Sequence, residues 1–224
     1  MSANDEKLKE ILSGIYDKLK NLDSSALDGH YLNERYLHHS FSHEVQSQTT
    51  YNIDYGNRCQ STFHPEWTTQ GLYQEENGVY QLAQDKGTPG NIDFALGNYC
   101  KPEYGIEFKH SQGWIHNPLV FDYMKLLDSA NPIQKAISVA VIFRENDLST
   151  QLTTEKVNET IVDLTERFKE QKRDIAKCRP FLFWIIEVAP KAENSGKIRS
   201  WYCNNLTKGF QPMTSLESVW FKAE

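Results

Sequence analysis

Three charged residues, Asp93, Glu107 and Lys109, interrupt the stretch GNIDFALGNYCKPEYGIEFKH, residues 90–110, where two apolar strands are otherwise written. Side chains alternate across a strand. Ile92, Phe94 and Leu96 are therefore expected on one face with Asp93 on the other, and Ile106 and Phe108 on one face with Glu107 and Lys109 together opposite. If the strands pair, all three charged groups can converge. Two carboxylates in a partly dry site repel each other and resist desolvation, and a divalent cation compensates well. Magnesium favours octahedral oxygen ligands, commonly one or two carboxylates with waters and substrate phosphates. A lysine two residues beyond one ligand can then face a phosphate, orient or deprotonate the attacking water, and stabilise charge in the transition state. That chemistry suits phosphodiester hydrolysis.

The elements that must position these residues are legible to different degrees. Leu8, Ile11, Leu12, Ile15 and Leu19 lie at helical spacing with charges between them, so residues 4–21 read as an amphipathic helix. A second helix is expected from Tyr31 to Gln48, after the polar break Asp28–Gly29, with Leu37, Phe41 and Val45 on its face. Residues 50–85 are aromatic, polar and Gly-punctuated, which suits short strands and long loops. Strands near 91–96 and 104–109 then form a hairpin whose turn contains GNYCKPEYG. HNPLVFDYMKLLD starts a helix with Asn117 as N-cap and Pro118 at the first helical position. AISVAVIF, residues 136–143, and PFLFWIIEVA have the continuous apolar pattern of strands covered on both faces. Between them a long charged helix is expected at 153–175, and KIRSWYCNN reads as an edge strand.

With 224 residues the chain fits one α/β domain. Its 39% apolar and 24% charged residues suit a folded globular protein. The net charge of −6 argues against a non-specific polycation but not against a local basic groove. No apolar run approaches a membrane span, and MSANDEKLKEIL is polar and acidic where a signal peptide is basic and then apolar. A cytoplasmic protein with no membrane partner is expected. Cys59, Cys100, Cys178 and Cys203 form no C-x-x-C pair, so neither a zinc ribbon nor a redox motif is written.

An acidic residue on one strand followed, after 13 intervening residues, by E-x-K on the next resembles the PD-(D/E)XK nuclease superfamily. The matching pieces are GNIDF with Asp93 and IEFKH with Glu107, Phe108 and Lys109; Ile92 stands where the family has its leading proline. The resemblance implies a restriction-endonuclease-like fold: a mixed central sheet flanked by helices, laid out as helix, three-strand meander, helix, further strand and helix. It would occupy a domain at 30–224 behind an N-terminal helical extension at 1–29. It also implies a Mg²⁺- or Mn²⁺-dependent endonuclease acting on nucleic acid, DNA in preference to RNA. Asp93 and Glu107 would bind the metal together with the Phe108 carbonyl, Lys109 would assist the water and the transition state, and a glutamate on the preceding helix would position water or a second ion. Such domains often carry a glutamate on the helix before the meander. Glu34 and Glu44 both match, and Glu34 is favoured because Leu37 and Phe41, at i+3 and i+7, put it beside the buried stripe. Two-strand cleavage often calls for a homodimer, although no dimer surface is legible.

Several other groups compete for attention. His39 and His43, at i and i+4, have the spacing of a zinc pair but no third ligand. HPEWTT, residues 64–69, could end a meander strand near the site with Glu66 as an extra acidic ligand, the plainer reading being a loop with a buried Trp67. Trp114 and His116 follow the E-x-K strand, where loops carry specificity, with packing the plainer role for Trp114. Arg167, Lys169, Lys172, Arg173, Lys177 and Arg179 could track a phosphate backbone, though interleaved acids suit a solvated face. NSGKIRS is not a P-loop. The plain alternative for Glu107 and Lys109 is a solvated ion pair on an exposed sheet face, worth about a few tenths of a kcal/mol. The rival functions are a non-catalytic module of the same fold, serving as an assembly subunit or partner-binding protein, and a stand-alone nucleic-acid binder.

Overall fold

The computed structural model describes residues 3–21, 33–77, 79–83, 86–114, 116–143, 153–176, 179–188, 198–204, 206–213 and 220. Helices α1 (Ala3–Lys20) and α2 (Glu34–Gln48) precede strands β1 (Phe63–Glu76), β2 (Val79–Ala83), β3 (Thr88–Asn98) and β4 (Lys101–Ser111). Then come α3 (His116–Leu127), β5 (Lys135–Phe143), α4 (Thr154–Glu170), β6 (Phe181–Val188), β7 (Ile198–Tyr202) and β8 (Gln211–Met213). The strands form one mixed eight-stranded sheet in the order β2-β1-β3-β4-β5-β6-β7-β8. Pairs β4–β5 and β5–β6 are parallel and the others antiparallel.

Helices cover the sheet on both faces, which gives an α/β fold with two cores. On one face Leu8, Ile11, Leu12, Ile15 and Leu19 of α1 and Leu37, Phe41 and Val45 of α2 pack with Phe94, Leu96, Ile106, Phe108, Val139 and Trp184. On the other, Leu119, Tyr123 and Leu127 of α3 and Val157, Leu164 and Phe168 of α4 pack with Ile92, Ala140, Phe183 and Ile185. Burying each such large apolar side chain stabilises by about 1.5–3 kcal/mol. β5 and β6 supply alternate residues to both cores, the physical reason for their unbroken apolar runs. α1 thus shares a core with α2 and the sheet, and the expected boundary between 29 and 30 lies outside the described residues. Among the described residues no helix is long and apolar enough to cross a membrane.

Several boundaries differ from expectation. α2 starts at Glu34, where the Asn33 side chain accepts a hydrogen bond from the Tyr36 amide at 2.9 Å; residues 28–32 lie outside the description. α3 starts at His116, before the expected Asn117 cap. α4 ends at Glu170, and Lys172 has a φ of 51° that no helix continues. β1 is a 14-residue strand where short strands and loops were expected. Its alternation is broken by a positive φ at Glu66 and a register shift between Thr68 and Leu72, which hid it from a search for period two. β7 is not an edge, because β8 pairs with its outer side.

Candidate functional site

The polar residues gather where β3 and β4 part. Antiparallel pairing runs from Asn98↔Lys101 to Phe94↔Ile106 and stops there. Beyond that point a side chain replaces the ladder: the Phe108 amide donates to Asp93 Oδ2 at 2.7 Å. His38 Nε2 of α2 meets the same oxygen at 3.1 Å. The expectation that Ile92 and Phe94 share a face fails here, since Ile92 belongs to the α3–α4 core and Phe94 to the α1–α2 core. The strand turns over at Asp93, where its pairing with β4 ends and the β1 residue opposite, Glu66, has a positive φ. Burial alone would raise the Asp93 carboxyl, but the His38 hydrogen bond and the Phe108 amide outweigh it and hold the group below its ordinary range.

Glu107 and Lys109 share one face of β4, as alternation requires, and that face is covered by α3. The solvated-pair alternative is therefore excluded, with Glu107 only 1% exposed. α3 contributes Asp122 and Lys125, both buried, from a helix whose other buried residues include Leu119, Val120, Tyr123, Met124, Leu126 and Leu127. The Lys125 ammonium contacts Glu107 Oε1, lies 3.2 Å from Asp122 Oδ1 and donates to the Asn91 carbonyl at 2.8 Å. Lys109 Nζ lies 3.8 Å from Asp122 Oδ2 and 3.3 Å from Glu34 Oε2. Glu34 Oε2 also accepts from the His110 amide at 3.4 Å. Burial pushes both Glu107 and Asp122 above their ordinary values despite Lys125. Lys125 and Lys109 are raised in turn, because the surrounding carboxylates outweigh the burial that opposes their charge.

The structure thus brings Glu34, Glu107 and Lys109 into one chain of ionic contacts, with Asp93 at its edge. Glu44 lies elsewhere, paired with Lys18 of α1 at 3.1 Å. His39 and His43 are exposed. Glu66, expected in a loop, lies within β1, with Trp67 buried beside it. Trp114 packs on the α3–α4 core, and His116 pairs with Asp163 at 2.8 Å. The basic cluster is largely structural: Arg167 binds Asp163 and the Tyr80 carbonyl, Arg173 binds Asp128, and Arg179 binds the carbonyls of Leu126 and Asn131. Lys177 and Cys178 lie outside the described residues. Sequence reasoning missed Lys125, Asp122 and His38. The signal for the first two was present, since charges at i and i+3 inside an apolar helix demand partners.

Hard carboxylate oxygens from Asp93 and Glu107 suit a magnesium or manganese ion, with the Lys125 ammonium as its competitor for Glu107. A scan against protein-family models finds no match, and neither a search of curated proteins nor one of solved structures finds a similar protein.

Proposed function

We propose that this protein is a metal-dependent PD-(D/E)XK-type endonuclease that hydrolyses phosphodiester bonds of nucleic acid, DNA in preference to RNA, in the cytoplasm. The observation that carries this reading is the chain of ionic contacts Glu34–Lys109–Asp122–Lys125–Glu107 beside the point where β3 and β4 part and Asp93 takes the Phe108 amide. The order of α2, the β1–β3–β4 meander, α3, β5, α4 and β6 also agrees with the restriction-endonuclease-like layout. A bound Mg²⁺ or Mn²⁺ would supply a water of lowered pKa and charge stabilisation at the phosphate. Asp93 and Glu107 would hold it. The Phe108 carbonyl, on the residue whose amide donates to Asp93, would join them. Lys109, kept protonated by its carboxylate neighbours, would orient the attacking water and stabilise the transition state, and Glu34 would position Lys109 and water.

The test is cleavage of labelled single-stranded and double-stranded DNA with Mg²⁺ or Mn²⁺, comparing wild type with Glu107→Ala and Lys109→Ala. Wild type should cut, and folded variants should lose cleavage. A folded wild type inactive on every DNA and RNA offered would overturn the reading. One observation favours a second reading, a non-catalytic module of the same fold: Lys125 already neutralises Glu107 from within the chain. That module should show no metal-dependent rise in melting temperature, whereas a metal-binding site must show one.

A further inference from the structure

On the α2 side of Asp93, away from Lys125 and Glu107, three ligand atoms face one another. His38, Glu66 and Asp93 each offer one donor, and these donors lie within 4.8 Å of one another. They come from three elements, α2, β1 and β3, so the cluster is a product of the tertiary fold. His38 lies one helical turn after Glu34, and α2 therefore presents Glu34 to Lys109 and His38 to Asp93 from the same face. The imidazole is held edge-on against Phe94 and Phe108, with ring centroids 5.2 and 6.0 Å away. Glu66 reaches Asp93 across the sheet: Pro65 stands opposite Phe94 and Trp67 opposite Ile92, which sets Glu66 opposite Asp93.

We propose that His38, Glu66 and Asp93 form a second divalent-cation site, sharing Asp93 with the proposed nuclease site and favouring a first-row transition ion over magnesium, with Mn²⁺ as a paramagnetic probe of it. The proposal rests on that reading only in taking Asp93 as a metal ligand. Imidazole ligands suit transition ions, whereas magnesium and calcium favour all-oxygen sets. No lysine ion-pairs with Glu66 or His38 among the described residues, so an ion here competes with the His38–Asp93 and Phe108–Asp93 hydrogen bonds and with no cation. Paired ions that share a carboxylate can clamp the attacking and leaving oxygens of one phosphate.

The experiment is Mn²⁺ binding followed by electron paramagnetic resonance, with electron-spin-echo detection of ¹⁴N coupling, on wild type, His38→Gln and Glu66→Gln. Wild type should show a coordinated imidazole nitrogen. His38→Gln should lose that signal, and Glu66→Gln should weaken the nitrogen-coupled Mn²⁺ by at least the roughly tenfold that outer-shell partners alone cost. Circular dichroism melts verify that each variant is folded, and Glu66→Gln alone still tests the site if His38→Gln does not fold. Bound Mn²⁺ without nitrogen coupling, coupling that survives His38→Gln, or no Mn²⁺ binding overturns the proposal. Because the nuclease ligands are all oxygen, bound Mn²⁺ without nitrogen coupling leaves that reading standing. Nitrogen-coupled Mn²⁺ with no cleavage of any nucleic acid supports the site and sinks the nuclease.

Discussion

Two buried ionic clusters adjoin α3, and they are built on different terms. At its C-terminal end, Asp128 is wholly buried and fully provided for: Arg173 and the Tyr73 hydroxyl donate to Oδ2, and the Ala130 amide donates to Oδ1 at 2.9 Å. Asn131 extends this network, accepting from the Gln70 and Gly71 amides at 2.8 Å each and donating to the Lys125 carbonyl at 2.7 Å. Nearly two turns earlier, Asp122 and Glu107 share the Lys125 ammonium, and Asp122 Oδ2, 3.8 Å from Lys109 Nζ, has no hydrogen-bond partner among the described residues. A satisfied network fastens a structure, whereas a half-satisfied one holds free energy that a ligand can claim. The Asp128 cluster ties α3 to β1 and to the segment after α4. The Asp122 cluster opens onto a cleft of about 310 Å³ lined by Tyr80, Lys109, Asn117, Pro118, Phe121, Asp122 and Lys125.

Substitutions can break or sharpen this contrast, and the largest effect belongs to the satisfied cluster. Asp128→Ala leaves the half-buried Arg173 with only the Leu72 and Ala83 carbonyls and strips the Tyr73 hydroxyl and the Ala130 amide of their buried acceptor, so it should cost about 3–5 kcal/mol in urea unfolding. The same cluster tolerates no side chain at Gly71, where a Cβ would collide with Asp128 Oδ2 and the Tyr73 hydroxyl. Lys125→Met should cost less, about 1–3 kcal/mol at neutral pH, because the two acids it abandons already favour protonation. A carboxyl with a raised folded pKa binds its proton more readily when folded, so stability falls as pH rises from the ordinary glutamate value through the folded one. The Lys125→Met deficit should therefore shrink on acidification. A deficit that does not change with pH would show that Glu107 and Asp122 are not its cause.

The edge of the site gives a smaller deficit, one that grows rather than shrinks on acidification. Burial opposes the His38 charge, but Asp93 outweighs it and raises the imidazole pKa above 6.5. Its contribution is fully present below 6.5 and is lost as pH rises through the raised value. Thermal melts should show His38→Gln below wild type at pH 5.5 by about 1 kcal/mol or less, with the gap closing by pH 8.5. The smallest effect is expected at Glu44, whose pairing with Lys18 lies on the surface. Glu44→Ala should leave both melting temperature and DNA cleavage unchanged, and loss of cleavage would reinstate Glu44 as the helix acid.

Much of the frame was legible because its causes are local. The α1 stripe, the buried strands β5 and β6, and the β3–β4 hairpin all follow from apolar periodicity, and each appears within a few residues of expectation. β1 was not legible, since a positive φ at Glu66 and a register shift defeat a reading that assumes unbroken alternation. In the same way, alternation placed Glu107 and Lys109 together correctly and misassigned the face of Ile92 relative to Phe94.

By itself the sequence determined which residues could carry charge into the sheet: Asp93 and Glu107 on neighbouring strands, Lys109 beside Glu107, and Glu34 at the head of a helix. Their partners were decided by the tertiary structure. Lys125 meets Glu107 only because α3 lies across β4, His38 meets Asp93 only because α2 covers the opposite face, and Glu66 faces Asp93 only through the β1–β3 register. The physical reason is the difference in range. Periodicity and capping act within a few residues, whereas the field at a buried carboxylate is set by whichever charges the packed layers deliver within a few ångströms, however far apart they lie in the chain.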